Sequence, residues 1–326
     1  MLHDSWLANL VREYICPKWE CSSLICSILS APVIGVCSPI SKPIPLPPQL
    51  IHQLVNCRGQ GFWSHDKGED ASLDQIPLMA PMANIFWQKA RYPISDPGPN
   101  WLICVEISWD SKKTWKENIE SAANFFIRCQ NIYGPRLIAG TIWEEPDLDE
   151  NYDPMAIDAR IQAIRERMSY LNQHLTFLIG PNLSCAIGLG NIGIAQIRAK
   201  GLPAAAGIIW LEGYPMIAGN YELYVVPALA EVCHLLYPDQ KIGYVAGIWQ
   251  SDEHQLEPGY EEIACHWRAW NGGALNRWAD RVVAYIYYRW RTDPGAGDCY
   301  KAIDQLPLVK GAIREAAIMT DWRASG

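Results

Sequence analysis

Acidic side chains follow three of the apolar, strand-like runs in this sequence, at the points where those runs end. Glu144 and Glu145 follow one run, Glu212 follows a second, and Asp252 and Glu253 come shortly after a third. If the strands are parallel and form a barrel, their carboxyl ends meet on one rim, and these groups meet with them. Two carboxyl groups flanking a glycosidic bond can hydrolyse it, one as general acid and the other as nucleophile or base.

Tryptophan shows the same placement. Six of the predicted strands end on this residue, at Trp63, Trp109, Trp143, Trp210, Trp249 and Trp290. The chain has 15 Trp but only 5 Phe, which suggests aromatic platforms more than simple core filling. Sugar rings stack on indole faces while polar neighbours bind their hydroxyls. The sequence therefore predicts that Trp143, Trp210, Trp249 and Trp290 surround one cleft with at least two indole faces accessible.

The full predicted set of sugar contacts combines these indoles with the polar residues that follow them. Its members are Trp109, Trp143, Glu144, Trp210, Tyr214, Trp249, Gln250, Asp252 and Trp290. Each lies at or just beyond a predicted strand end, where the active site of a barrel is built. The expected partner of the chain is a carbohydrate.

The elements that would position these residues alternate between strands and helices. Apolar, β-branched runs predict eight strands, at 33–37, 61–63, 101–109, 136–143, 175–180, 205–210, 241–249 and 282–290. Their near-continuous apolar character is typical of parallel strands that are covered on both faces. Eight strands separated by helices or by room for one predict an α/β fold, a closed (β/α)8 barrel. Residues 1–50 are expected to hold the first barrel strand and a Pro-rich wrap, and residues 51–326 the remainder of a single barrel domain.

Two of the helices have clear signals. Ile119, Phe126 and Cys129 belong to an apolar stripe with three-four spacing after the third predicted strand. After the fourth, Asp153 is the expected N-cap of a helix and Pro154 its first residue.

Composition and charge exclude several classes of protein. A net charge of −8 provides no basic surface for a nucleic-acid backbone. The longest apolar stretch, 24–36, is too short to span a bilayer. None of the 11 cysteines forms a C-x-x-C motif, and Cys104, Cys129 and Cys233 fall on apolar faces. These observations predict buried free thiols and a soluble protein of a reducing compartment, the cytoplasm. The sequence gives no oligomeric state.

At the end of the fourth predicted strand, Glu145-Pro146 resembles the Asn-Glu-Pro signature of the large clan of retaining (β/α)8 glycoside hydrolases. The resemblance implies that Glu145 is the acid/base and that a second Glu ends the seventh strand. This chain has Glu144 where the clan has Asn, and Gln250 at the end of the seventh strand. Asp252, Glu253 or Glu212 is left as the second carboxylate. Glu212 is the prediction, because it directly follows a strand-ending Trp.

Two alternatives belong to other functional classes. Gln250, in place of a carboxylate, favours a non-catalytic glycan-binding or structural barrel. Gly188, Gly190 and Gly193 form a G-x-G-x-x-G pattern with Glu212 about twenty residues on, which favours a dinucleotide-dependent oxidoreductase. Under the preferred hypothesis no cofactor is expected.

Metal chemistry has little support in the sequence. Asp147, Asp149, Asn151, Asp153 and Asp158 have the alternating spacing of a calcium loop, but Tyr152 replaces the required glycine and Pro154 interrupts the pattern. A helix-capping acidic loop is the better interpretation. The H-E-x-x-H motif of zinc proteases is absent from the sequence, so no metal is predicted.

Overall fold

Eight parallel strands close into a barrel in the computed structural model. The structure describes residues 57–63, 75–91, 93–148, 151–184, 192–213, 226–247, 276–288, 290, 302–320 and 323. The strands are β1 (Gln60–Trp63), β2 (Ile85–Lys89), β3 (Leu102–Glu106), β4 (Leu137–Glu144), β5 (Leu178–Leu183), β6 (Ile208–Gly213), β7 (Lys241–Gly247) and β8 (Val282–Tyr288). Each strand pairs with the next, and β8 pairs with β1. The predicted (β/α)8 barrel is confirmed.

Helices cover the outside of the barrel. They are α1 (Ile76–Met79), α2 (Trp115–Tyr133), α3 (Pro154–Tyr170), α4 (Ile192–Lys200), α5 (Val226–His234) and α6 (Pro307–Thr320). Short 3-10 helices span Gly134–Arg136, Pro146–Leu148, Asn276–Arg281 and Ile303–Gln305. A capping box of Thr114 and Glu117 starts α2. Asp153 caps α3 as predicted, accepting the N–H of Met155 at 2.9 Å.

The first two strands differ from the sequence prediction. The expected strand at 33–37 lies outside the described residues, and the closed barrel has its eight strands without it. The missed strand is β2, which ends in Gln88 and Lys89. Both polar side chains are buried, whereas long polar side chains in a sequence usually indicate exposure. This is why the pattern did not predict a strand here.

Hydrophobic packing divides into two regions. The larger one lies between the barrel and the helices, and Phe126, Ile157 and Ile161 are among its fully buried members. The smaller one is the inside of the barrel, where Trp63, Trp87 and Trp210 are the largest side chains. The Trp63 and Trp87 rings stack at 5.0 Å, and Trp210 meets Trp87 edge-on at 4.9 Å.

Glycine makes room for these indoles. A Cβ atom at Gly243 would lie 2.1 Å from Cε3 of Trp210. We expect Gly243→Ala to lower the free energy of unfolding by about 1–3 kcal/mol, because overpacking forces side chains or backbone to shift. Gly311→Ala is the matched control, since nothing lies within 4 Å of its Cβ position in α6. It should stabilise the protein by about 0.5–1 kcal/mol. Urea denaturation of both variants measures the difference, and equal effects would contradict the packing argument.

Four cysteines among the described residues are free and buried, at Cys57, Cys104, Cys129 and Cys233. Burial raises the pKa of the Cys57 and Cys129 thiols to about 12, so both are protonated and unreactive at neutral pH. The prediction of buried free thiols is confirmed for Cys104, Cys129 and Cys233. Within the described part of the chain, every helix is too short or too polar to cross a membrane.

Candidate active site

Glu145 lies immediately after β4, at the carboxyl end of the barrel. Its φ of 47° is in the left-handed region. Among the described residues other than glycine, Asn172 alone has this conformation as well. Such a conformation is costly for a side chain with a Cβ and often marks a functional site. Two hydrogen bonds fix it: the Glu145 N–H donates to the Asn182 carbonyl at 2.7 Å, and its own carbonyl accepts from the Leu148 N–H at 3.2 Å.

Glu212 reaches the same place from β6. It is 2% exposed, and its Oε1 accepts a hydrogen bond from Nδ2 of Asn182 on β5. The Glu145 and Glu212 side chains are near enough to interact, and Glu212 lowers the pKa of Glu145. The two carboxyl groups singled out in the sequence are therefore neighbours, although they are 67 positions apart.

Asn182 was missed in the sequence. It holds Glu145 through its backbone and Glu212 through its side chain, and it is fully buried. The available signal was a polar residue at the end of an otherwise apolar strand, in the sequence Leu-Ile-Gly-Pro-Asn-Leu of β5. A buried amide needs hydrogen-bond partners, so its presence there indicates a polar group opposite.

The surroundings of Glu145 favour its protonated form. Burial is the largest cause of its raised pKa, the negative charge of Glu144 adds to it, and Asp147 contributes further. The hydrogen bond with Glu212 acts in the opposite direction but does not cancel the increase. Two carboxyl groups in contact cannot both ionise easily, so the pair keeps a proton at pH values where ordinary carboxyl groups have lost theirs. A group in this state can serve as a general acid.

The raised pKa gives a stability prediction. Between the ordinary pKa of Glu145, 4.5, and its raised folded value, the folded state binds more protons than the unfolded state, so stability falls as pH rises. Gln at this position is neutral at every pH. We expect Glu145→Gln to melt close to the wild type at pH 4 and progressively above it as the pH increases to 8. Thermal melts across this range test it, with Glu166→Gln on the exposed face of α3 as control. A constant difference at every pH would contradict the assignment.

A buried ion pair lies on the neighbouring strands. Nζ of Lys89, on β2, is 3.2 Å from Oε2 of Glu106, on β3, and both side chains are almost fully buried. Glu106 also accepts the Trp87 indole N–H at 2.9 Å, and the Lys89 ammonium lies 4.9 Å from the Trp63 ring centre. Burial lowers the pKa of Lys89, although the charges of Glu106 and Glu144 oppose this. The pair lies near Glu144, whose charge raises the pKa of Lys89. The sequence analysis did not predict the pair because it did not predict β2.

The tryptophans do not form the predicted ring. Trp210 is fully buried inside the barrel, where its indole N–H donates to the Gly140 carbonyl at 3.2 Å. Trp290 is 2% exposed and packs on Phe62, with 4.6 Å between ring centres. The prediction of accessible indole faces is wrong for these two. β6 begins at Ile208, so Trp210 is its third residue and does not reach the rim.

Trp109 and Trp143 pack in the layer between the barrel and the helices. Both indoles contact Arg160 of α3, whose guanidinium carbon is 4.1 Å from the Trp109 ring centre and 3.2 Å from that of Trp143. Both indoles are half-buried, and the accessible face predicted for Trp143 stays a prediction. Several other predicted residues lie outside the described residues, namely Tyr214, Trp249, Gln250, Asp252 and Glu253.

The helix-capping prediction for the acidic loop is confirmed at Asp153, and two other carboxylates of the region bind backbone N–H groups elsewhere. Asp147 accepts the Ser184 N–H at 2.9 Å, and Asp158 accepts the N–H groups of Ala204 and Ala205 at 3.1 and 2.8 Å. Within the described ranges, no group of three or more potential metal-binding side chains comes together. Gly188 and Gly190 of the proposed dinucleotide motif lie outside those ranges. Its acidic residue, Glu212, is hydrogen-bonded inside the barrel, which does not favour a role on a ribose.

Comparison with solved structures gives the same fold. A family 39 glycoside hydrolase from Bacteroides cellulosilyticus WH2 matches with a TM-score of 0.50 at 13% identity, over 82% of this chain and 64% of its own length. A modular family 26 endo-β-1,4-mannanase from Cellulomonas fimi matches with a TM-score of 0.55 at 9% identity, over 83% and 73%. The chain has the fold of these glycoside hydrolases. No protein-family model and no curated protein sequence matches it.

Proposed function

We propose that this chain is a glycoside hydrolase in which Glu145 is the general acid/base and Glu212 its partner carboxylate. The observation that carries the proposal is the proximity of the half-buried Glu145 to the buried Glu212 at the carboxyl end of a (β/α)8 barrel. Active sites of this fold lie at that end. The two solved structures of similar fold are described as a glycoside hydrolase and an endo-β-1,4-mannanase, which supports a carbohydrate substrate.

The spacing of the pair favours a retaining reaction. Inverting enzymes hold their carboxyl groups about 6.5–9.5 Å apart to admit a water, and retaining enzymes about 5–5.5 Å. The interaction between Glu145 and Glu212 requires neighbouring carboxyl groups, which fits the shorter, retaining distance better than the longer one.

The reaction then proceeds in two steps. Glu212 attacks the anomeric carbon as the bond to the leaving oxygen breaks, and the proton of Glu145 passes to that oxygen. Ionised Glu145 next takes a proton from water, whose oxygen displaces Glu212 and releases the sugar. Asn182 orients Glu212 throughout, because its side-chain amide holds Oε1.

Further sugar contacts are proposed for the segments after β6 and β7. Tyr214 follows directly on β6, which carries Glu212, and Trp249, Gln250 and Asp252 follow within a few residues of β7. Residues 1–50 are proposed as an N-terminal segment with a Pro-rich wrap, and residues 51–326 as the single barrel domain. The free, buried thiols support a reducing compartment such as the cytoplasm.

A panel of 4-nitrophenyl glycosides and soluble polysaccharides tests the function. We expect the wild-type chain to hydrolyse at least one of them and to release the product with retained anomeric configuration, as followed by proton NMR. Inverted product would contradict the role of Glu212 as nucleophile. Saturable binding of a glycan without turnover of any substrate would replace the proposal with a glycan-binding barrel.

A further inference from the structure

Asn182, near the end of β5, contacts both carboxyl residues of the candidate site. Its side-chain Nδ2 donates to Oε1 of Glu212 on β6. Its backbone carbonyl accepts the N–H of Glu145 at 2.7 Å. Asn182 is fully buried, and in the sheet it pairs with Glu144 of β4 on one side and with Trp210 of β6 on the other. One residue, fixed by two neighbouring strands, therefore connects Glu145 with Glu212.

The orientation of the Asn182 amide carries information about charge. The amino group of an amide only donates hydrogen bonds, and its oxygen only accepts them. The amino group faces Glu212, whereas Oδ1 is shielded from solvent and has no donor in the described part of the chain. A buried acceptor without a donor is unfavourable, so the contact with Glu212 determines this orientation. A donor in this place stabilises the ionised form of Glu212.

A proton that two neighbouring carboxyl groups share can reside on either of them. In the proposed reaction one arrangement is productive, with the proton on Glu145 and the negative charge on Glu212. The reversed arrangement has no proton on Glu145 for the leaving oxygen and no nucleophile at Glu212. The Asn182 amide favours the productive arrangement because it donates to Glu212. The negative charge of Glu144 raises the pKa of Glu145 and so favours the same arrangement.

We propose that Asn182 is a positioning residue that assigns the shared proton, because its amide keeps Glu212 ionised and leaves the proton on Glu145. The inference rests on the proposed function and explains how two similar side chains keep separate roles. A hydrogen bond to a charged group changes an equilibrium by about 10- to 100-fold. That is enough to decide which of two neighbouring carboxyl groups ionises first.

Other ionisable groups surround the pair. β5 itself has none. On β7, Tyr244 pairs with Leu211, next to Glu212, and Lys241 pairs with Ile208 at the amino end of β6. Further ionisable side chains lie at or just beyond the carboxyl ends of four other strands, namely Lys89, Glu106, Glu144, Asp147 and Tyr288. All of them are present in each protein compared below, so a pH-dependent difference between those proteins comes from position 182.

Carbon-13 NMR of the wild-type chain tests the assignment without any measurement of activity. Labelling the side-chain carboxyl carbon of glutamate distinguishes protonated from ionised groups, and the variants Glu145→Gln and Glu212→Gln identify the two signals. As the pH rises, we expect the last proton of the pair to reside on Glu145. A protonated Glu212 beside an ionised Glu145 would overturn the inference.

The pH profile of kcat/KM tests the role of the amide, since leucine is similar in size to asparagine but has no donor. We expect Asn182→Leu to lose about 10- to 100-fold at the acidic end of the profile, where ionised Glu212 is scarce. The loss should disappear at the alkaline end, where Glu212 is ionised in both proteins. Asn182→Gln keeps a donor and should recover part of the loss. Asn124→Leu, which removes an exposed amide from α2, should match the wild type.

A loss of equal size at every pH would mean that Asn182 only supports the architecture of the site, and the inference would fall. If a thermal melt shows that Asn182→Leu does not fold, the NMR measurement on the wild type decides. The proposed function fails separately. A chain that holds the last proton on Glu145 but hydrolyses no glycoside would lose the function and keep the proton assignment. Hydrolysis of a glycoside with the last proton on Glu212 would keep the function and remove the inference.

Discussion

Replacing Glu145 with Gln is expected to lower kcat/KM for glycosides with poor leaving groups by about 10²- to 10⁴-fold, the usual contribution of a general acid. The amide matches the carboxyl group in size and can still hydrogen-bond to Glu212, but it cannot deliver a proton to a departing alkoxide. A 2,4-dinitrophenyl glycoside needs little protonation to depart. For this substrate the first step should keep most of its rate, as measured by the burst of dinitrophenolate.

The dependence on leaving group separates chemistry from folding. Glu166→Gln is the control, since this exposed residue of α3 accepts a hydrogen bond from Gln162 of the same helix at 3.0 Å. The activity of this variant should not change. Equal losses of first-step rate for both leaving groups would mean that Glu145 supports the architecture of the site and does not donate the proton. Unchanged activity with alkyl glycosides would refute the assignment outright.

Strand–helix alternation was enough to predict the barrel, because a parallel sheet buried on both faces leaves continuous apolar runs in the sequence. Glu145 and Glu212 could also be predicted, since both residues come at or beside predicted strand ends. Asn182 and Lys89 could not be predicted. Each is a polar residue within a strand, and its burial depends on partners from neighbouring strands that a single sequence does not reveal.

Errors of a few residues in the strand boundaries explain the misplaced tryptophans. Side chains alternate between the two faces of a strand, and position along it decides between interior and rim. The predicted sixth strand ended at Trp210, whereas β6 runs from Ile208 to Gly213. Trp210 therefore packs inside the barrel against Gly243 of the neighbouring strand. Glu212, two residues further along β6, lies nearer the carboxyl end of the barrel. Trp210 thus supplies interior volume where the neighbouring strand has a glycine.

The buried pair of Lys89 and Glu106 provides the largest expected effect on stability. Lys89→Met should lower the free energy of unfolding by about 3–5 kcal/mol, because it leaves the Glu106 carboxylate inside the barrel without its cation. The Trp87 indole N–H remains as a donor to that carboxylate, but one neutral hydrogen bond does not replace an ammonium at 3.2 Å. Urea denaturation at neutral pH measures the loss.

A double variant shows whether the cost comes from the orphaned charge or from lost packing. Lys89→Met with Glu106→Gln removes both charges, yet keeps an oxygen that can accept the Trp87 N–H. Because separating a buried pair costs more than neutralising it, we expect the double variant to recover most of the stability lost in Lys89→Met. Arg198→Met sets the scale for an exposed pair and should cost about 1 kcal/mol or less. A double variant as unstable as Lys89→Met would locate the effect in the contact of the Lys89 ammonium with the Trp63 ring.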